Sequence, residues 1–393
     1  MTPNPTDHPT DHRGDLWLLL ACSFGAATAN SVIFAALGDL QDTYHFADFG
    51  LGLIAGAGFL TGLLVQLFIS PFADRGHAKR LIVIGLVIAA VGSVLFAIGT
   101  SLIEFVLARA VVGSSFGFVF PAVRALASNL DPNRRGERLG RVASIEIIGF
   151  VCGPLFGGIL IDPIGLSATF LVFGAVALFT VLIVAPRTFP TLIQTGQSQR
   201  LSIDLLRNHR MVVAVLVIMA IQLPIGVYDA LWDRYLTDLG GSNIMVGVSF
   251  ALYSVPFILL STSGGKLADR GEPQRIALWS MLVAAPFVFL YGFFDILWVV
   301  VGLNIFEGVI QAVAYPAAIA AVAKAAPDGR ASAAQGLSGS AGLVGAMIMA
   351  FTMPSVYGHY GAVVTFGSVF VLMIALTCIA AILHIRLERA SAT

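Results

Sequence analysis

Residues 81–98 read LIVIGLVIAAVGSVLFAI and contain no charged side chain. An uncharged apolar run of about 18 residues or more is long enough to cross the hydrocarbon core of a bilayer as a helix. The whole chain shares this character, because 58% of its 393 residues are hydrophobic and 11% are charged, against about 25% charged in a typical soluble domain. The net charge of zero argues against a nucleic-acid partner. We therefore expect the lipid bilayer to surround most of the protein surface.

Apolar runs of this kind recur along the chain, and we predict an all-α membrane protein with twelve transmembrane helices. The one long polar connection falls at mid-chain. The predicted units are therefore a six-helix bundle at 1–186, a linker at 187–210 and a second six-helix bundle at 211–393. The predicted spans are 16–38, 50–72, 80–100, 102–128, 139–162, 167–186, 211–236, 244–266, 275–294, 296–324, 331–357 and 361–385.

The positions of the basic residues predict the orientation of the chain. Of the 22 lysine and arginine residues, all except Arg109 and Arg234 lie at the termini, in the linker or in loops on one side of the predicted spans. Short loops rich in lysine and arginine remain in the cytoplasm. We expect a multi-pass protein of the cell membrane with both termini in the cytoplasm.

The two halves of the chain repeat at an offset of 195 residues. Ala73-Asp74-Arg75-Gly76 matches Ala268-Asp269-Arg270-Gly271, and Phe120-Pro121 matches Tyr315-Pro316. Parallel repeats related by an axis along the membrane normal place the substrate site between the halves, near the middle of the membrane. Two pairs of glycines keep the same register, Gly52 with Gly247 and Gly113 with Gly308.

The first of these repeated segments resembles a known signature. Ser70-Pro-Phe-Ala-Asp74-Arg75-Gly76-His-Ala-Lys79-Arg80 is similar to the 2–3 loop motif of the major facilitator superfamily, although glycine is usual at Ser70 and Gly76 comes one position early. A carboxylate at a helix end, beside cations, makes charge-assisted bonds to a neighbouring helix. The alternative is ordinary basic flanking of the membrane. The resemblance implies a gating latch formed by Asp74, Arg75, Arg80, Asp269 and Arg270.

A second motif lies in the predicted fifth helix. Gly149-Phe-Val-Cys-Gly153-Pro154-Leu-Phe-Gly157-Gly158 resembles the antiporter signature of the twelve-helix drug:proton antiporters of this superfamily. Small residues four apart let a neighbouring helix approach closely, and proline removes a helical hydrogen bond. The alternative is tight packing alone. The resemblance implies export of a small molecule in exchange for protons, by a monomer without cofactor or metal.

Polar residues inside the predicted spans are the candidate site residues. Arg109, with Gly113 four residues on, resembles a helix 4 motif of proton-coupled members, and a cation at that depth is costly enough to indicate function. The alternative is that Arg109 has a structural role, as a partner of Glu104 or of a backbone carbonyl. In this family helices 1, 4, 7 and 10 line the central cavity. The resemblance therefore places there Asn30, Arg109, Gln222, Asp229, Asn304, Glu307 and Gln311. We expect an aromatic cavity wall of Phe116, Phe120, Trp232 and Tyr315, with ordinary packing inside the spans as the alternative for each.

Three carboxylates are candidate proton sites, Glu307, Asp229 and Glu146. Burial in an apolar cavity favours the neutral form of a carboxyl group, which then takes up a proton on one side and releases it on the other. Glu146 is alternatively a buried partner for an arginine near the 4–5 loop. Asp233 lies on the same face of the predicted seventh helix as Asp229. The alternative for Asp233 is an ion pair with Arg234 at the membrane boundary.

The function that we predict is proton-coupled efflux of small amphipathic compounds by alternating access. One alternative is a proton-coupled importer of sugars or organic acids on the same fold. Another, of a different class, is a transporter-like receptor without flux. An enzyme is not expected, because the sequence shows no nucleophile–base pair and no set of metal ligands.

Overall fold

The structure is a computed structural model that describes residues 13–69, 72–73, 75–130, 135–189, 203–327 and 330–392. Within these ranges the chain forms eleven α-helices and no β-strand. The short helix α2 (Leu37–Tyr44) continues α1 beyond a 3-10 turn at Val32–Ala35. The others are α1 (Arg13–Ser31), α3 (Asp48–Phe68), α4 (Ala78–Ile98), α5 (Leu102–Asn129), α6 (Arg135–Val184), α7 (His209–Asp238), α8 (Asn243–Arg270), α9 (Pro273–Leu290), α10 (Leu297–Ala325) and α11 (Ala331–Ala392).

Two of these helices are too long to cross a bilayer once. α6 has 50 residues and α11 has 62, whereas about 20 residues span the hydrocarbon core. Each is interrupted by a glycine with a left-handed backbone, Gly165 at φ 83° and Gly361 at φ 76°. Glycine reaches such angles without the steric cost that a Cβ imposes.

The chain reverses direction at each of these glycines. In α6, Gly149 packs against Ala27 of α1, and Thr180, far beyond Gly165, packs against Gly25 of the same helix. Residues on the two sides of Gly165 thus lie at one level. Within the described ranges α6 and α11 supply two spans each, and with eight further long apolar helices they make twelve. The prediction of an all-α protein with twelve spans is confirmed.

The start of α5 answers one question left open by the sequence. Ser101 Oγ accepts a hydrogen bond from the Glu104 amide, and Glu104 Oε2 accepts one from the Ser101 amide at 3.0 Å. This reciprocal pair satisfies amides that have no partner within the helix. Glu104 therefore caps α5 and is not the partner of Arg109.

The sequence repeat reappears in how the helices pack. A Cβ on Gly52 of α3 would lie 3.1 Å from the Ala350 carbonyl oxygen of α11, and a Cβ on Gly247 of α8 would lie 2.8 Å from Leu155 Cα of α6. Positions 155 and 350 are themselves 195 apart. The contacts of α3 with α11 and of α8 with α6 join the two halves, so equivalent positions form equivalent interfaces.

Two faces of the molecule are distinguished below. An even number of spans returns the chain to the side where it began, so the start of α1 and the end of α11 share one face, called the terminal face. The other is called the opposite face. Large apolar side chains on the outside, such as Leu182, Leu259 and Phe179, are more than half exposed, as expected of a surface that lipid covers.

Candidate functional site

A cavity of about 330 Å³ lies between the halves, lined by residues of both. Small-molecule sites are typically concave and largely apolar, with a few placed polar groups. The wall of this cavity fits that description, because residues of α1, α3, α5, α6, α7, α8, α10 and α11 and of the turn after α1 line it and most of them are apolar. Eight of its side chains are aromatic: Phe34, Phe59, Phe116, Phe150, Tyr228, Trp232, Phe250 and Tyr253.

Five of the seven residues predicted for the cavity line it in the structure, namely Asn30, Arg109, Gln222, Asp229 and Asn304. Asn30 comes from the first half of the chain, as does Arg109, and the other three come from the second half. The polar groups of the cavity are thus supplied by both halves.

A buried ion pair crosses the cavity from one half to the other. Arg109 Nη2 donates to both carboxylate oxygens of Asp229, at 2.8 and 3.1 Å. Both side chains are almost fully buried, at 3% and 2% exposure. Removing one partner of a buried pair leaves an uncompensated charge, which is strongly unfavourable. This contact therefore links the position of α5 to that of α7.

Arg109 is held by further contacts from the first half. Its Nη1 donates to the backbone oxygen of Asn30 at 2.7 Å and to the Asn30 side-chain oxygen at 3.2 Å. The guanidinium carbon lies 5.6 Å from the ring centroid of Phe34. A Cβ on Gly58 would lie 2.5 Å from Arg109 Nε, so α3 gives the arginine room. Asn30 thus orients the guanidinium toward Asp229.

Two residues predicted for the cavity lie behind its wall instead. Glu307 is fully buried and accepts hydrogen bonds from the hydroxyls of Tyr228 and Tyr291, the latter at 2.7 Å. Gln311 is also buried, and neither residue lines the cavity. Tyr228, which does line the cavity, is bonded to Glu307.

The predicted aromatic wall is partly different as well. Phe116 and Trp232 line the cavity. Phe120 is buried edge-on against Phe116, with 4.6 Å between ring centroids, and Tyr315 contacts Phe257. Neither of these two lines the cavity, since each side chain is turned to a neighbouring ring.

Glu146 has a basic partner at the end of the preceding helix. Arg124 donates two hydrogen bonds to its carboxylate, one of them from Nε to Oε1 at 3.2 Å. Glu146 is 7% exposed and Arg124 is 51% exposed. This contact corresponds to the second role considered for Glu146, that of a buried partner for an arginine near the 4–5 loop.

The glycine motif of α6 faces two different neighbours. A Cβ on Gly149, Gly153 or Gly157 would meet α1 or the turn after it, at Ala27, Ser31 and Val32 respectively. A Cβ on Gly158 would instead lie 2.1 Å from the Asn243 carbonyl oxygen at the start of α8. Consecutive helical residues point about 100° apart, so one motif packs α6 within its own half and also against the other half.

At the opposite face the halves are joined by a set of polar contacts, here called the seam. The Gly38 amide donates to Asp233 Oδ2 at 2.7 Å, and Arg234 Nη1 donates to Asp42 at 2.5 Å. Asn243 Nδ2 donates to Asp39 at 2.8 Å and to Asp162 at 3.0 Å. Asp233 therefore bonds to a backbone amide of the other half, whereas Arg234 pairs with Asp42 and Asp238.

The protonation of Asp39 affects this seam. Burial raises the pKa of Asp39, the hydrogen bond from Asn243 opposes that rise, and the nearby carboxylates of Asp162 and Asp42 add to it. A neutral carboxyl group accepts a weaker hydrogen bond than a carboxylate. Lower pH at the opposite face therefore weakens the contact between Asp39 and Asn243.

At the terminal face, the latch residues that the structure describes, Arg75, Arg80, Asp269 and Arg270, form no ion pair across the halves with another described residue. Asp74 lies outside the described residues. Arg75 packs its guanidinium over the ring of Phe72, while Arg80, Asp269 and Arg270 are exposed. Gly76 has φ 86°, which accounts for a glycine at that position. The cavity thus lies on the terminal side of a closed seam.

One group of side chains in the described ranges is close enough to share a metal ion, Glu272, His384 and Glu388 at the terminal face. Glu272 already pairs with Lys324 at 3.0 Å, and Glu388 with Arg275 at 2.6 Å. Two basic side chains therefore already neutralise these carboxylates.

Several residues of the site carried no signal that sequence reasoning used. Tyr228 directly precedes Asp229, and Phe150 lies inside the glycine motif, so both were near residues that were singled out. Phe34, Phe250 and Tyr253 lie in apolar runs and were not distinguishable from aromatic residues that face lipid.

Comparisons with known proteins agree with the fold. The family model described as Major Facilitator Superfamily matches residues 19–232 and 211–392. The multidrug resistance protein MdtG of Citrobacter koseri is 26% identical over 329 residues, which are 80% of this chain and 81% of that protein. MdtG of Serratia proteamaculans is 26% identical over 275 residues, covering 68% and 67%.

Solved structures share the fold at low sequence identity. The crystal structure of the nucleoside transporter NupG has a TM-score of 0.76 at 13% identity and covers 94% of this chain and 98% of that one. A bacterial homolog of the human lysosomal transporter Spinster, in an inward-facing and occupied conformation, has a TM-score of 0.75 at 17% identity and covers 96% of each chain.

Proposed function

Because the chain belongs to the major facilitator superfamily, and is thus a multi-pass membrane transporter rather than an enzyme, we propose that it exports small amphipathic compounds in exchange for protons. The observation that carries this proposal is the Arg109–Asp229 pair, which joins the two halves across the cavity. The likeness to multidrug resistance proteins supports a drug-type substrate.

The chemistry of the cavity supports an amphipathic substrate. Eight aromatic side chains offer ring faces and edges, which stack on planar apolar groups in several orientations. Gln222 and Asn304 add polar atoms, while the charge of Arg109 is already neutralised by Asp229. Such a wall binds compounds of varied shape and does not demand one fixed pattern of hydrogen bonds.

Proton coupling follows from the same ion pair. A proton on Asp229 neutralises the carboxylate and releases Arg109, so the bond between α5 and α7 weakens and the halves are free to rock. One proton that crosses a potential of 100 mV supplies about 2.3 kcal/mol. Each unit of pH difference adds about 1.4 kcal/mol. Glu307 is the second candidate proton site, and Glu146, held by Arg124, is assigned a structural role.

The direction of export requires an orientation. We propose that 1–186 and 211–393 move as two units joined by the linker 187–210, with the terminal face in the cytoplasm. The closed seam then lies outside, and the cavity faces inward, ready to accept a compound from the cytoplasm. The protein is proposed to act as a monomer, because one chain supplies both walls of the cavity.

The transport test uses purified protein in liposomes. We expect a pH gradient to drive accumulation of at least one compound from a panel of planar aromatic dyes that includes cationic ethidium and neutral Nile red. Protein-free liposomes are the control for passive partitioning. Absence of gradient-driven flux across the panel contradicts the proposal and favours a receptor without flux.

An importer of organic acids makes a different prediction. An anionic substrate would need Arg109, which becomes available when Asp229 is protonated, so the anion and the proton would bind together and move in the same direction. In an exporter, substrate binding releases a proton. Measuring proton release or uptake when a transported compound is added to the purified protein separates the two.

The orientation has its own test, in a protein whose native cysteines have been replaced. We expect a cysteine at position 133 or within 190–205 to react with an impermeant maleimide only from the cytoplasmic side. A cysteine at position 42 should react only from outside, because the basic residues keep the terminal face in the cytoplasm. Labelling of 190–205 from outside the cell contradicts this orientation.

A further inference from the structure

Glu307 is a buried carboxyl group without a cationic partner in the described part of the chain. It accepts hydrogen bonds from Tyr228 and Tyr291, both at Oε2. An isolated buried carboxylate is very costly, and such groups normally neutralise by taking up a proton. Glu307 therefore needs a path along which a proton can arrive.

The surroundings of Glu307 contain tyrosines and amides. Tyr228 faces it from α7, Tyr253 from α8, and Tyr291 from the turn after α9. On α10 itself the neighbours are Asn304 and Gln311. No lysine, arginine or histidine of the described residues forms an ion pair with it, and the groups that bond to its carboxylate are tyrosine hydroxyls.

The two bonded tyrosines differ in one respect. Tyr228 lines the cavity on one side and bonds to Glu307 on the other, whereas Tyr291 does not line the cavity. Tyr291 is instead tied to the packing of the second half, since its backbone oxygen accepts a hydrogen bond from Tyr235 at 2.5 Å. Both hydroxyls hold the same carboxylate oxygen, but of the two residues it is Tyr228 that lines the cavity.

We propose that Tyr228 is a proton relay between the cavity and Glu307, which makes Glu307 a second proton site that the substrate never touches. This inference rests on the proposed proton-coupled transport and adds to it a residue that controls access to the proton site. Arg109 and Asp229 remain the pair that joins the halves.

The relay step conserves every proton. The Tyr228 hydroxyl gives its proton to Glu307 Oε2 along the existing hydrogen bond, and the phenolic oxygen takes one from a hydronium ion in the cavity, which becomes water. The O–H bond that breaks on Tyr228 is replaced by a new one, and Glu307 becomes neutral. The reverse sequence returns the proton to the cavity, so Tyr228 ends each cycle unchanged.

The position of Tyr228 also makes the proton and the substrate compete. A compound packed against the Tyr228 ring displaces the water that exchanges protons with its hydroxyl. Substrate occupancy and proton exchange at Glu307 then exclude one another in time. Exchange of substrate for proton requires that the two exclude one another. Here that exclusion needs no direct contact between the substrate and the Glu307 carboxylate.

The test follows the proton itself in purified protein in lipid. Infrared difference spectroscopy after a pH jump records the carbonyl band of protonated carboxyl groups, and Glu307→Gln identifies the band that belongs to Glu307. We expect Tyr228→Phe to slow the appearance of this band by about 100-fold, the lower end of what a positioned proton-transfer group contributes. Tyr291→Phe, which removes the matched hydroxyl, should slow it far less.

The outcomes separate a relay from a structural support. Equal slowing in both tyrosine variants overturns the relay, because each hydroxyl then merely holds the carboxylate. An unchanged rate in Tyr228→Phe, or a band that survives in Glu307→Gln, overturns it too. If Tyr228→Phe does not melt as a folded protein, Tyr228→His replaces it in the experiment. Histidine retains a group able to carry a proton, so the Glu307 band should appear faster in Tyr228→His than in Tyr291→Phe. The measurement needs no transported compound, so it remains decisive even if the dye panel shows no flux.

Discussion

Asp229→Asn is expected to destabilise the protein more than Arg109→Gln does, although the two substitutions break the same ion pair. Breaking a buried pair by removing one partner costs about 3–5 kcal/mol, because a charge remains buried without compensation. The charged group that remains differs between the two variants. Asp229, left in Arg109→Gln, can become neutral by binding a proton, whereas the guanidinium of Arg109, left in Asp229→Asn, cannot lose one. In Asp229→Asn, Arg109 therefore stays charged and buried without its carboxylate partner.

The pH dependence gives this prediction its sign. In Arg109→Gln the folded state holds a protonated Asp229 that the unfolded chain ionises, so the folded state binds more protons and its stability falls as the pH rises. In Asp229→Asn no carboxyl group remains at this position, so its stability should lack this fall with rising pH. The measurement is the unfolding temperature in detergent at several pH values.

The double variant Arg109→Gln with Asp229→Asn is the control, because it leaves two neutral side chains. We expect its stability to return close to that of the native protein, while gradient-driven transport stays absent in all three variants. Equal losses in the two single variants at every pH would show that the pair is open to water, against its exposure of 3% and 2%.

Gly158→Ala is expected to open the seam, whereas Gly157→Ala should be tolerated. A Cβ at Gly158 lies 2.1 Å from a backbone oxygen of Asn243 in the other half, and one at Gly157 lies 3.0 Å from a methyl group of Val32 in the same half. A backbone cannot move aside as a side chain can, so α6 and α8 must separate. The expected result is a shift toward a state open at the opposite face.

Spin labels at Ser167 and Ser242, both exposed at the opposite face, measure this separation. The distance between them should lengthen in Gly158→Ala and stay native in Gly157→Ala, and gradient-driven transport should fall to background only in the former. The larger Gly157→Leu should stop transport as well, by pushing α6 away from Val32. Native distances in Gly158→Ala would mean that this glycine does not set the helix approach.

The sequence predicted the parts of the fold that depend on local properties. A span requires only length and apolarity, which is why the twelve spans were predicted. The repeat was predicted from segments that match in register at an offset of 195 residues. Pairing across the halves was not predictable, since Arg109 and Asp229 are 120 residues apart and apolar patterning gives the depth of a residue but not its partner. For the same reason Glu307 was assigned to the cavity, although Tyr228, to which it bonds, is the residue that lines that space.

Adjacent glycines show the limit of motif reasoning. The motif around Gly157 and Gly158 predicts close helix packing, but it does not say which helix each glycine meets. The answer depends on how α6 is rotated about its own axis, and that rotation is set by α1 and α8, which come from different halves of the chain. Packing partners of this kind emerge only when the halves are assembled.

The hydrogen bond between Gly38 and Asp233 joins two positions that are 195 residues apart, the same offset as the sequence repeat. A position that meets its own counterpart lies on the pseudo-twofold axis. Had two identical half-length chains paired in this way, the site would have held either two glycines, with no side-chain acceptor, or two aspartates, with like charges face to face. The bond therefore belongs to the fused chain and records divergence of the two copies after the duplication.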